Sequence, residues 1–195
     1  MSVQTIIGPF STNTYIVCSK DTSVVIDPSG DGESIYRRAT AEGRVLAAIL
    51  LTHGHFDHMD ALAGLVSLSG APVYISSFDF PMLSDPYLNA SWLVGRCISA
   101  SVNDVRLLSG GERLVFSDLS FLVYATPGHS EGSLCYLWED NLFSGDTVFA
   151  DGYGRTDLAG AKPELYASSL ASIRPLIKTK NLYPGHGRII IRNHN

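Results

Sequence analysis

The sequence predicts an α/β domain made of two mixed sheets packed face to face, with helices on the outside. Three observations carry this. Strand-like segments come in two runs, and each run is followed by alternating β and α signals. The two halves echo each other: "NTYIVCSKDTSVVIDP" (13–28) and "GSLCYLWEDNLFSGDT" (132–147) both read as strand, charged turn, strand and closing aspartate. Third, "VLAAILL" (45–51) is apolar throughout, as in a strand buried on both faces.

The elements follow in order. "QTIIG", "NTYIVCS" and "SVVID" are short strands separated by turn formers. "GESIYRRATAEG" has helical spacing, with Ile35, Arg38 and Ala39 within one turn and Gly43 as its stop. "RVLAAILLT" is a strand, "DALAGLVSLSG" a helix ending at Gly70, and "APVYIS" a strand. Residues 77–104 carry Pro81 and Pro86 and read as short helical pieces in a long connection; their aromatics Tyr87 and Trp92 are expected either to line a substrate channel or to pack on the core. Strands recur at "DVRLLS", "ERLVFS", "SFLVYAT", "SLCYLWE" and "NLFSG". A glycine-rich loop spans 151–160, "PELYASSLASIRPLI" is helical, and the strand "NLYPG" leads into "HGRIIIRNHN".

At 195 residues the chain is expected to form a single domain over 1–195, large enough to fold without disulfides. A net charge of −5 argues against nucleic acid or an anionic membrane as a partner held by bulk charge. "MSVQTIIGPF" has no basic n-region, and no apolar run reaches the roughly 20 residues that span a bilayer. The expected location is therefore cytoplasmic, and the sequon "NAS" at Asn89 is expected to stay unmodified. Cys18 and Cys135 lie in apolar strands and read as buried free thiols, and no cysteine, Cys97 included, has zinc-knuckle spacing.

The chemistry concentrates in four stretches where a metal-capable residue follows a strand and sits beside glycine: "THGHFDH", "TPGHSEGS", "SGDT" and "YPGHG". Five of the six histidines fall there; His194 is the exception. His53 and His55 are two apart and point to the same side of an extended segment. Asp57 and His58 follow where the chain turns, and suit a second ion. His129 sits at the tip of a Pro-Gly turn, Asp146 closes a strand, and His186 lies between two glycines that let backbone approach a crowded site. A lone loop histidine is usually solvated and a lone aspartate after a strand usually caps a turn. Four such loops together require a common cause. Imidazole and carboxylate suit zinc first, with iron or manganese as alternatives.

These residues resemble the metallo-β-lactamase superfamily, whose His-x-His-x-Asp-His hallmark stands here as His53, His55, Asp57 and His58, with His129, Asp146 and His186 matching its later ligands. The resemblance implies an αββα four-layer sandwich and two divalent ions. One would take His53, His55 and His129, the other Asp57, His58 and His186, and Asp146 would bridge. "TPGHSEGSLCYL" and "SGDTVFADGYGRTDL" are most similar to the glyoxalase II group, which hydrolyses thioesters such as S-lactoylglutathione. The expected function is thus thioester hydrolysis by attack of a metal-bound hydroxide on a small-molecule acyl thioester, with Asp57 also able to accept a proton. The alternatives are a mononuclear iron persulfide dioxygenase using His53, His129 and Asp146, or a metal-binding module without turnover.

The chain departs from that group in three places. It runs nine residues past His186, so the C-terminal helical domain that contacts glutathione in that group is expected to be absent. Its tail is "GRIIIRNHN" rather than a polar segment. Asp60 stands where the family often has glycine, and is expected either to alter metal preference or to serve the next helix's first turn. Asp27, ending a strand as Asp146 does, is expected to orient a ligand histidine or to hold a turn with Pro28. Arg155 and Asp157 are expected either to meet a substrate carboxylate or to pair with each other.

Overall fold

In a computed structural model of the chain, which describes residues 1–192, the first half comprises β1 (Ser2–Ile7), β2 (Asn13–Cys18), β3 (Thr22–Ile26), α1 (Gly32–Ala39), β4 (Val45–Leu50), α2 (Leu62–Ser69), β5 (Val73–Ser76) and β6 (Val105–Leu108). The second half comprises β7 (Arg113–Phe116), β8 (Leu119–Ala125), β9 (Leu134–Trp138), β10 (Asn141–Gly145), β11 (Val148–Phe149), β12 (Gly152–Tyr153), α3 (Pro163–Thr179) and β13 (Asn181–Pro184). His194 lies outside the described residues.

One sheet runs β1-β2-β3-β4-β5-β6 and the other β13-β10-β9-β8-β7. The sequence echo is real in three dimensions. The hairpins β2–β3 and β9–β10 are antiparallel, and each delivers a carboxylate, Asp27 or Asp146, at its end. Each then crosses through a helix to a parallel neighbour: β3 through α1 to β4, and β10 through α3 to β13.

Three apolar interfaces make four layers. On β2, Tyr15 and Val17 face the other sheet, while Ile16 and Cys18 face the helices, as the period of two requires. On β9, Leu134, Tyr136 and Trp138 pack between the sheets and Cys135 faces α3. The parallel strand β4 is sandwiched, with Ala48 and Leu50 inward and Ile49 and Leu51 toward α1 and α2. A register shift between β3 and β4 at Ser23/Val24 changes which side Leu46 and Ala48 face.

The helices are specified locally. Asp31 caps α1 by accepting from the Glu33 and Ser34 amides, and α1 buries Ile35 and Ala39 while Arg38 stays exposed. Gly70 ends α2 in the left-handed conformation, at φ +64°. α3 packs Ile173 on the second sheet. No helix among the described residues is long and apolar enough to cross a membrane.

The long connection contains two 3-10 turns, Phe80–Leu83 and Ser91–Val94, pinned by Asn89. Fully buried, Asn89 donates to the Met82 and Ile98 carbonyls at 2.9 and 2.8 Å. The glycine-rich segment differs from a plain loop, because the β11–β12 ribbon pairs Val148 with Tyr153 and Phe149 with Gly152 at its start.

Phe121 lies fully buried between the sheets. Phe121→Ala is expected to cost about 3–5 kcal/mol, read as a lower urea midpoint at unchanged slope.

Candidate metal centre

The seven metal-capable residues converge at one end of the sandwich, where β3, β4, β8, β10 and β13 release their loops. Ligand atoms of His53, His55 and His129 lie within 4.8 Å of one another, as do those of Asp57, His58 and His186. A third set, His53, His58 and Asp146, joins the two. Asp146 touches both: its Oδ1 is 3.4 Å from His58 Nε2, and its Oδ2 is 3.6 Å from His129 Nε2 and 3.5 Å from His186 Nε2.

The imidazoles are aimed by partners on their outer nitrogens. His58 Nδ1 donates to Asp27 Oδ2 at 2.9 Å, His129 Nδ1 donates to the Arg155 carbonyl at 2.7 Å, and His53 Nδ1 lies 3.1 Å from Thr52 Oγ1. Each of these contacts turns Nε2 into the cluster. Asp27 does more than orient one ring: it also accepts from the Thr52 amide and hydroxyl, at 2.7 and 2.6 Å, and so fixes the exit of β4. Thr12 Oγ1 donates to Asp57 Oδ2 at 2.8 Å.

Inside the cluster Asp57 Oδ2 pairs with His186 Nε2 at 3.2 Å, but other polar atoms lack ordinary partners. His55 Nδ1 faces His129 Nε2 at 2.9 Å, and His58 Nε2 faces His186 Nε2 at 3.3 Å. Among the cluster atoms described, His53 Nε2, His55 Nε2 and Asp146 Oδ1 are buried with no hydrogen-bond partner. Buried lone pairs left facing one another are costly unless a cation lies between them. The donor set fits divalent ions.

Electrostatics divide the rings. Burial, together with the neighbouring imidazoles, pushes His53 well below the usual range. Burial and His129 push His55 down to about 3. Burial would also lower His58, but Asp57, Asp146 and Asp27 outweigh it and hold His58 well above the usual range. Burial would raise Asp57 and Asp146, but the surrounding imidazoles, His58 first, keep both carboxyls below the usual range. His186 is raised as the Asp57 and Asp146 carboxylates overcome its burial.

Glycine makes the convergence sterically feasible. A Cβ on Gly185 would overlap Asp146 Oδ1 and lie 2.6 Å from His58 Cε1, so backbone alone fits there.

Asp60 takes a role the sequence did not suggest, whereas Arg155 and Asp157 take one of the two it offered. Asp60 accepts from the Gly30 amide at 2.8 Å and does not cap α2; it braces the loop after β3. Arg155 and Asp157 pair with each other at 2.6 and 2.8 Å, while the Arg155 carbonyl holds His129. Tyr87 and Trp92 do not pack on the core; they line a depression that shares part of its wall with the cleft over the cluster. They stack on each other there, with centroids 5.7 Å apart. The cleft itself, of 520 Å³, has apolar walls that include Phe10, Phe56, Leu93, Val94, Phe149 and Leu158.

Sequence reasoning missed Asp79, which ends "YISSFD" just beyond β5. It is 1% exposed and accepts from the Gly54 amide at 3.0 Å, Ser130 Oγ at 2.6 Å and the Gly132 amide at 2.8 Å. It therefore ties the loop of His53 and His55 to the loop of His129. The signal was available: like Asp27, it is an aspartate just after a strand in an apolar setting, but no glycine marks it.

Two outcomes follow from this geometry. Asp79→Asn keeps the shape but places an amide against backbone N–H donors, and zinc affinity is expected to fall about 10–100-fold, measured by competition with a chelator. His58 and His186 both have their pKa raised by neighbouring carboxylates, so zinc must compete with protons at both rings. Calorimetry in buffers of different ionisation enthalpy is expected to show net proton release on zinc binding, larger at pH 6 than at pH 8.

The metallo-beta-lactamase superfamily model matches residues 7–186. The Probable metallo-hydrolase YqgX of Bacillus subtilis (strain 168) is 35% identical over 185 residues, covering 93% of this chain and 87% of that protein. The crystal structure of BLEG-1 B3 metallo-beta-lactamase superposes with a TM-score of 0.90 at 36% identity, covering 96% of this chain and 93% of that one. TTHA1623, solved in a di-iron-bound form, superposes with a TM-score of 0.84 at 34% identity, covering 97% and 93%. The four layers, the converging ligand loops and these likenesses agree: the chain belongs to the metallo-beta-lactamase superfamily.

Proposed function

We propose that this metallo-hydrolase-like chain hydrolyses acyl thioesters, with S-lactoylglutathione as the first substrate to test. The observation that carries the reading is a buried set of unpartnered imidazole and carboxylate atoms at the base of an apolar-walled cleft. Two divalent ions bound there would act as Lewis acids and bring the pKa of a water toward roughly 7. Zinc is the first metal to load and iron the second, since the related TTHA1623 was solved with two irons.

The chain's own residues would supply the rest. His53, His55 and His129 hold one side of the centre, Asp57, His58 and His186 the other, and Asp146 spans both. Asp57 lines the cleft within reach of a water over the cluster and would relay the proton that water gives up toward solvent. The net reaction adds water across the C–S bond: a C–O bond forms, the C–S bond breaks, and the products are a carboxylate and a thiol. Thiolate leaves readily, so no strong general acid is required of the site. A second reading, opening of a β-lactam ring, is favoured by the likeness to BLEG-1.

Metal-loaded protein is to be assayed for thiol release from S-lactoylglutathione, beside a chromogenic β-lactam and oxygen uptake with glutathione persulfide. Thiol release is expected to dominate. Asp146→Ala is expected to lose metal and hydrolysis together; hydrolysis surviving with full metal content would contradict the bridging role.

A further inference from the structure

The cleft over the cluster does not end at its own walls. A second depression of 230 Å³ shares Ala90, Leu93, Arg155 and Leu158 with it and extends to the stacked pair Tyr87 and Trp92. Phe10, Tyr87, Trp92, Leu93 and Val94 are between 44% and 60% exposed, so large apolar surface gathers at this one rim. Resting on the thioester reading above, we propose that this second compartment is an acyl subsite, taking the apolar chain of a medium-length acyl thioester.

Charge selects the acyl half over the thiol half. Apart from Asp57 and Asp146 of the metal cluster, the charged side chains lining the two compartments are Arg155 and Asp157, and these neutralise each other. A multiply charged thiol carrier finds no unpaired cation in this lining. One cation does stand outside it: Arg96 lies 5.9 Å from the centroid of the Phe10 ring, at the mouth. The arrangement seats the carbonyl over the cluster, the apolar chain past Leu93 and Leu158 toward Tyr87 and Trp92, and the polar thiol carrier at the open side near Arg96.

The test is a series of N-acetylcysteamine thioesters, acetyl to octanoyl, on the zinc-loaded protein. kcat/KM is expected to rise about two- to fourfold per methylene as the chain enters the compartment, since each buried CH₂ contributes roughly 0.8 kcal/mol. Leu93→Glu puts a carboxylate on the shared wall and is expected to flatten that slope. Independently of turnover, octanoate is expected to quench Trp92 fluorescence, with Trp92→Phe as the control because Trp138 is buried. If short thioesters are cleaved but the slope is flat or reversed, the subsite is wrong and the hydrolase stands. If no thioester is cleaved but octanoate still quenches Trp92 and Leu93→Glu abolishes it, the thioester reading fails and the compartment stands. Absence of both turnover and quenching overturns both.

Discussion

The structure is organised around one awkward fact: five imidazoles and two carboxylates meet in a buried corner, with nitrogen facing nitrogen at 2.9 and 3.3 Å. In an apolar interior such a meeting costs several kcal/mol per unpaired group. Asp57 and Asp146 offset part of it inside the cluster, and the surrounding scaffold enforces the meeting from outside. The outer nitrogens of His53, His58 and His129 have partners, whereas His53 Nε2, His55 Nε2 and Asp146 Oδ1 have none among the described residues. Unpartnered imidazole and carboxylate atoms gathered in one place are what a scaffold shaped to hold cations leaves when no cation is counted.

Two buried aspartates beside the cluster carry much of the enforcement. Asp27 joins the end of β3 to the exit of β4 through Thr52 and to the His58 ring. Asp79 joins the loops of the two sheets through Gly54, Ser130 and Gly132. Both sit on loops leaving parallel strands, positions at which an α/β scaffold routinely gathers its chemistry. The pseudo-repeat brings two carboxylates to the same end: one hairpin-and-crossover unit delivers Asp146 into the cluster, and the other delivers Asp27 behind the His58 ring.

Most of this was legible in the sequence because it rests on short-range patterns. The period of two in "NTYIVC" and "SLCYLW", the unbroken apolar run of β4 and the helix stop at Gly70 are local signals, and the folded chain follows them. The ligand cluster was legible because its residue types are rare and flanked by glycine. What was not legible depends on distant partners. Asp79 looks like any loop aspartate until Gly54 and Ser130 arrive from elsewhere in the chain. The fate of Asp60 turns on the Gly30 amide, and that of Tyr87 and Trp92 on where the long connection lies over the cleft. The role of Arg155 was hidden for another reason: its backbone carbonyl, not its guanidinium, holds His129.

The account is tested most directly by the positions of the ions themselves. A crystal of zinc-loaded protein, with anomalous differences collected on both sides of the zinc edge, is expected to show two peaks. One should lie among His53, His55 and His129, the other among Asp57, His58 and His186, with Asp146 between them. A single peak, or density with His129 or His186 rotated out of the cluster, would contradict the claim that these seven side chains form one two-ion centre.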